Sequence, residues 1–301
     1  MLITFEQVGI LFLFATVGYL LSKTKLVQPA HSKILSTLLV YIFLPCNIFK
    51  TYTANFNLTY LTQKYDFVLI SLVIIGVLML LSLFIPKLLT KNKYDQAVYA
   101  YSLLIPNYGY MGYALSESLL GESGKLNFMV FAIPFSLYIY TIGYCKLTKV
   151  GISLKKLLNP VIIATLLGII AGLVELPLPG IAISALEKAS ACMAPTSMLL
   201  AGITVSQYQF KSLLLKPASY VVTLLRLVGI PVTIGLLLSL FGVRKEIIQV
   251  AVLLTALPCG LNTIVFPKLV GENCEIGASL AMVSNIIACI SIPIVFSIFV
   301  L

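Results

Sequence analysis

Residues 103 to 115 read LLIPNYGYMGYAL, inside an apolar run long enough to cross a bilayer. Pro106, Asn107, Gly109 and Gly112 interrupt that run, and these residue types break helices. Proline removes the hydrogen bond to the carbonyl four residues back and crowds that turn, so Pro106 should free the carbonyl of Ser102. An unpaired backbone group in hydrocarbon costs several kcal/mol, and irregular backbone at membrane depth persists only where protein or a wet cavity satisfies it. A second stretch, TALPCGLNTIVF at residues 255 to 266, carries the same chemistry: Pro258 should free the carbonyl of Leu254, and Gly260 and Asn262 follow.

The surrounding chain makes membrane depth the right frame. Of its 301 residues, 60% are hydrophobic and 10% charged, against roughly 25% charged in a soluble domain. Many apolar runs reach the ~20 residues that cross a hydrocarbon core. The pattern predicts an all-α polytopic protein with ten spans, near 4–22, 34–52, 66–89, 96–120, 126–145, 160–176, 184–206, 213–241, 246–270 and 277–300. The first span does not read as a cleaved signal, because Glu6 precedes it while Lys23 and Lys25 follow. With an outside start, the odd-numbered loops hold thirteen of the twenty Lys and Arg and the even-numbered loops six, Arg226 alone falling inside a span. The positive-inside rule then places the odd loops in the cytoplasm and both termini outside. A plasma-membrane location is expected.

The net charge of +10 is spread over short loops rather than gathered in one stripe, so topology accounts for it and no nucleic acid is expected as a partner. The six cysteines show no C-x-x-C spacing and fall mostly within spans, where a thiol acts as a small hydrophobe. No metal and no cofactor are expected. The single histidine, His31, sits in a loop without a nucleophile or ligand cluster beside it, which argues against an enzyme. Apart from Glu6, no carboxylate lies well inside a span, so no coupling acid is evident.

The ten spans divide at the basic loop KLTKVGISLKKLLNP, residues 146 to 160. Landmarks recur in order on either side: Pro45 and Pro195, 150 apart; Pro106 and Pro258, 152 apart; Pro134 and Pro293, 159 apart. The reading is a first five-helix repeat over 1–145, a linker at 146–159 in the cytoplasm, and a second repeat over 160–301. An odd number of spans per unit makes the second repeat inverted. Inverted repeats are a recurrent plan of secondary transporters, whose substrate sits near the midplane between interrupted helices.

At such a crossing the half-helices beyond each break would point free N–H groups inward, a site suited to an anion such as a carboxylate. Asn107 and Asn262 could cap loose backbone and donate to that ligand. Asn47, two residues after Pro45, could face the crossing. Arg226 could pair with a carboxylate or extend its side chain to the interface. Tyr108 and Thr263 flank the breaks, with Tyr110, Thr255, Ser284 and Asn285 as further candidates. A channel or a membrane-embedded ligand sensor is the alternative class, although a filter normally repeats its ligands in a ring.

LVYIFLPCNIF in the second span, PNYGYMGYAL in the fourth, LPCGLNTIVF in the ninth and GASLAMVSNIIACISIPIV in the last resemble the auxin efflux carrier family of the bile/arsenite/riboflavin transporter superfamily. The resemblance covers essentially the whole chain. It implies a scaffold of spans 1, 2, 6 and 7, a transport domain of spans 3–5 and 8–10 containing the crossover, and elevator-like alternating access. It also implies an organic anion as cargo, in a range from auxin to malate and malonate. The short central linker is similar to that of compact prokaryotic members. The partners expected are that anion and the lipid bilayer, with a homodimer left open.

Overall fold

The computed structural model describes residues 2–28, 32–149, 160–269 and 272–300. His31 and positions 150–159 of the expected linker lie outside them. The described residues form helices and no strand. In order these are α1 (Leu2–Lys23), α2 (Ser32–Asn55), α3 (Leu58–Leu89), α4 (Lys93–Leu104), α5 (Tyr113–Phe131), α6 (Ile133–Thr148), α7 (Pro160–Leu173), α8 (Gly180–Ala191) and α9 (Met193–Val205). After a short helix, Phe210–Leu214, come α10 (Pro217–Leu240), α11 (Lys245–Ala256), α12 (Asn262–Leu269) and α13 (Glu275–Val300).

Four helical stretches among the described residues are long and apolar enough to cross a membrane: Ser32–Asn55, Thr62–Leu89, Pro217–Leu240 and Glu275–Phe299. The pair α5 and α6, bent by 43°, makes a fifth if it forms one span. The apolar segments Gly9–Lys23 and Pro160–Leu173 are shorter. The other expected spans do not stand out as single long helices because breaks divide them. Ile105–Asn107 separates α4 from the helix that follows, Cys192 separates α8 from α9, and Leu257–Leu261 separates α11 from α12.

The faces of the long helices show which solvent surrounds them. On α3, Leu69, Val73, Val77, Leu80 and Phe84 follow a spacing of three or four and are all exposed, while Phe67, Ser71, Ile74 and Leu78 on the other face are buried. On α13, Ile286, Ile290, Ile294 and Ile298 form a second exposed apolar stripe. A helix apolar on its outer face as well as its inner one belongs in hydrocarbon.

Helix α1 packs on α9, α2 on α7, α3 on α4, and α10 on α11. The first two contacts depend on small residues. A Cβ on Gly202 of α9 would stand 1.9 Å from the Ala15 carbonyl oxygen, and one on Gly172 of α7 would stand 2.2 Å from that of Phe56. Such close approach of backbones is how helices associate where lipid removes the hydrophobic drive between them.

Candidate functional site

The helix through α4 ends at Leu104 because its next donors are withdrawn. Ile105 is extended (φ −107°, ψ 114°), residue 106 has no N–H, and the Asn107 N–H turns away to the Pro258 carbonyl at 2.8 Å. The second break answers it: the Gly260 N–H donates to the Ile105 carbonyl at 3.2 Å. Pro106 and Cys259 thus form an isolated antiparallel bridge. Each interrupted segment supplies one backbone hydrogen bond to the other, part of what irregular backbone away from water requires. A side chain at residue 260 would crowd this approach, since a Cβ there would lie 3.3 Å from the carbonyl oxygens of both Ile105 and Pro106.

Neighbouring helices hold the bridge in place. The Cys259 N–H donates to Ser284 Oγ of α13 at 3.0 Å. The Tyr108 hydroxyl shares a 2.7 Å hydrogen bond with Ser136 Oγ of α6, and its ring stands edge-on to Tyr113 with centroids 5.9 Å apart. Beyond the first break the chain winds a wide π turn, Tyr108–Gly112, in which the Asn107 carbonyl accepts from both the Met111 and Gly112 N–H groups. Beyond the second, α12 starts directly at Asn262, and Thr263 Oγ1 donates back to the Gly260 carbonyl at 3.0 Å.

A cavity of about 30 Å3 opens where the breaks meet. At the ~10–15 Å3 that one water requires, this is room for a pair of waters or a carboxylate head. Asn107, Tyr108, Tyr113 and Asn262 bring polar side chains to its lining, which also includes Leu44 of α2, Val161 of α7, Gly109 and Gly260. A Cβ on Gly109 would meet no atom within 4 Å.

The asparagines are in different states. Asn107 is 2% exposed, and neither its Oδ1 nor its Nδ2 has a partner; it does not cap the turn that follows. Asn262 donates from Nδ2 to the Tyr101 hydroxyl at 2.9 Å. Tyr101, one turn before the first break, was missed in the sequence because a tyrosine in an apolar helix reads as packing.

The remaining candidates are held elsewhere. Asn47 is buried, donates to Met193 Sδ at 3.4 Å, and does not line the cavity. Thr255 and Asn285 bond to carbonyls of their own helices. The Tyr110 side chain lies outside the described residues. Arg226 is fully buried on a π turn, Leu225–Gly229, within α10 and donates to the Leu103 carbonyl at 3.0 Å and the Leu254 carbonyl at 3.4 Å. It does not line the cavity either. Among the described residues no cluster of His, Cys, Asp or Glu could hold a metal.

No curated protein matches the chain significantly. The family described as membrane transport protein matches residues 3–156 and 146–296, nearly the whole sequence. The chain therefore belongs to this transporter family, the auxin efflux carriers, and is a multi-pass membrane protein.

Proposed function

We propose that the protein is a secondary carrier that moves a small organic anion, a carboxylate of the malate, malonate or auxin-like kind, across the plasma membrane. The observation that carries this reading is the Asn107 amide: buried, without a protein partner, and in the wall of a cavity framed by two helix breaks. A buried amide left unpaired costs about 1–3 kcal/mol, so the arrangement is best explained by a ligand that accepts from it. The half-helix beginning at Tyr108 and the one beginning at Asn262 add N-terminal N–H groups and partial positive charge.

Ten spans in two inverted repeats, with both termini outside, remain our reading of the topology. In its favour, each ion pair among the described residues joins a basic residue to an acidic one at the same face of the expected topology. Lys50 with Glu122 and Glu187, Lys64 with Glu246, Arg244 with Asp66, and Lys125 with Glu117 lie at the expected outer face. Lys149 with Glu272 and Lys216 with Glu275 lie at the expected cytoplasmic face. The helix pairs α1–α9 and α2–α7 correspond under the same symmetry, as do α3–α4 and α10–α11.

Alternating access of the elevator type is supported by the division of the cavity. The polar side chains in its lining come from the helices of the crossover, and the expected scaffold contributes the apolar side chains of Leu44 and Val161. A site that carries its own hydrogen-bonding groups can slide past such a wall without leaving polar partners behind.

Reconstitution into liposomes with a panel of organic acids, under imposed potential and pH gradients, tests the proposal. The expected result is saturable flux of one or more carboxylates that weakens in Asn107→Ala. Flux that rises linearly with concentration would point to a channel. Binding without flux would point to a sensor, and carboxylate flux indifferent to Asn107 would remove the site.

A further inference from the structure

The carbonyls that Arg226 occupies are two of those that the breaks leave without helical donors. In a continuous helix Leu103 would accept from the N–H of residue 107, which is committed to Pro258; Leu254 would accept from residue 258, a proline with no N–H to give. Both carbonyls lie in the final turns of α4 and α11. A helix C-terminus carries about half a negative charge, so two converging ends present about one. A single guanidinium balances them, and among the described residues no carboxylate pairs with it.

Half-helix C-termini and unwound carbonyls are the groups that coordinate Na+ or a proton in carriers with discontinuous helices. We propose that Arg226 is a resident cation in that place: a positioning residue that neutralises both C-terminal ends, fixes the two breaks against each other, and makes a bound coupling cation unnecessary. The anion cavity then lies on the N-terminal side of the crossover and the fixed cation on its C-terminal side. This fits a sequence in which, apart from Glu6, no carboxylate lies well inside an expected span. It rests on the carrier reading for its meaning in transport, but its test needs no substrate.

The test is the melting temperature of the purified full chain in chloride salts of Na+, K+ or N-methyl-D-glucamine, for the parent, Arg226→Lys and Arg226→Gln. The parent should melt at the same temperature in all three. Arg226→Lys should stay close to it, and Arg226→Gln should fall by about 5 °C or more. In Arg226→Ala, 10 mM methylguanidinium should recover part of the loss and leave the parent unmoved. A parent stabilised by Na+ or K+ overturns the proposal, and so does a Lys variant no more stable than the Gln variant, because charge would then not be what holds the breaks. Failure of carboxylate flux in liposomes would instead count against the carrier reading and leave this result standing.

Discussion

At the first break Asn107 has both amide atoms unbonded in a buried wall, whereas at the second Asn262 is already committed to the Tyr101 hydroxyl. The bridge register explains the difference. The antiparallel pairing of Pro106 with Cys259 sets Asn107 opposite Pro258 and Ile105 opposite Gly260. Under the local two-fold axis of that bridge Asn107 corresponds to Gly260 and Gly109 to Asn262, a shift of 153 residues where the prolines alone suggest 152. Each asparagine therefore takes the place that a glycine holds in the other break, and the two amides are not equivalent. The first break is left with bonding capacity for a ligand, while the second is braced by Ser284, Thr263 and Tyr101.

Loss of the open amide, or a negative charge in its place, should break this contrast most sharply. Asn107→Ala should weaken carboxylate binding by about 1–3 kcal/mol, roughly five- to 150-fold. Asn107→Asp should weaken it further, because an ionised side chain would oppose the anion in a poorly hydrated wall. Concentration-dependent uptake in liposomes measures both, and equal uptake by the folded variants and the parent would show that the first break is not the open one.

Next come the glycines. Gly109→Ala should keep the parent's melting temperature and lose transport, since its methyl enters free space at the cavity. Gly260→Ala should lose stability by about 1–3 kcal/mol, because its methyl crowds the Ile105 and Pro106 carbonyls. Melting curves beside flux separate the two, and a reversed pattern would exchange the roles assigned to the breaks.

Ser284→Ala should leave the Cys259 N–H buried without its acceptor and lower stability by about 1–3 kcal/mol, read from denaturation. The smallest effects belong to the satisfied groups. Asn262→Ala and Tyr108→Phe each remove one hydrogen bond, at about 0.5–1.5 kcal/mol in stability. Carboxylate affinity should change less in Asn262→Ala than in Asn107→Ala; an equal loss would restore the symmetric picture of two donating amides.

Much of the site was legible because proline chemistry is local. The missing N–H of Pro258 marked the Leu254 carbonyl as needing a donor, and the structure supplies one in Arg226. The sequence marked the Ser102 carbonyl through Pro106 but not that of Leu103, which Arg226 reaches: Leu103 loses its donor only because the Asn107 N–H crosses to the opposite break, a choice made by the partner strand. Arg226 itself was visible as a charge inside a span, but its orientation was not. Snorkelling and ligand contact were both open, and burial against two helix ends is a third outcome that depends on where α4 and α11 converge.

By itself the sequence determined that this is a helical membrane protein with two proline-, glycine- and asparagine-bearing breaks, since hydropathy, span length and the proline ring act within a few residues. It also carried the family resemblance. The tertiary structure alone decided that the breaks join through Pro106 and Cys259, that Tyr101 claims one amide and leaves the other free, and that Arg226 sits behind the crossing and not in the cavity. Those outcomes depend on which donor and acceptor come within about 3 Å from helices distant along the chain, and a hydrogen bond weakens too steeply with distance and angle for spacing along the chain to fix it.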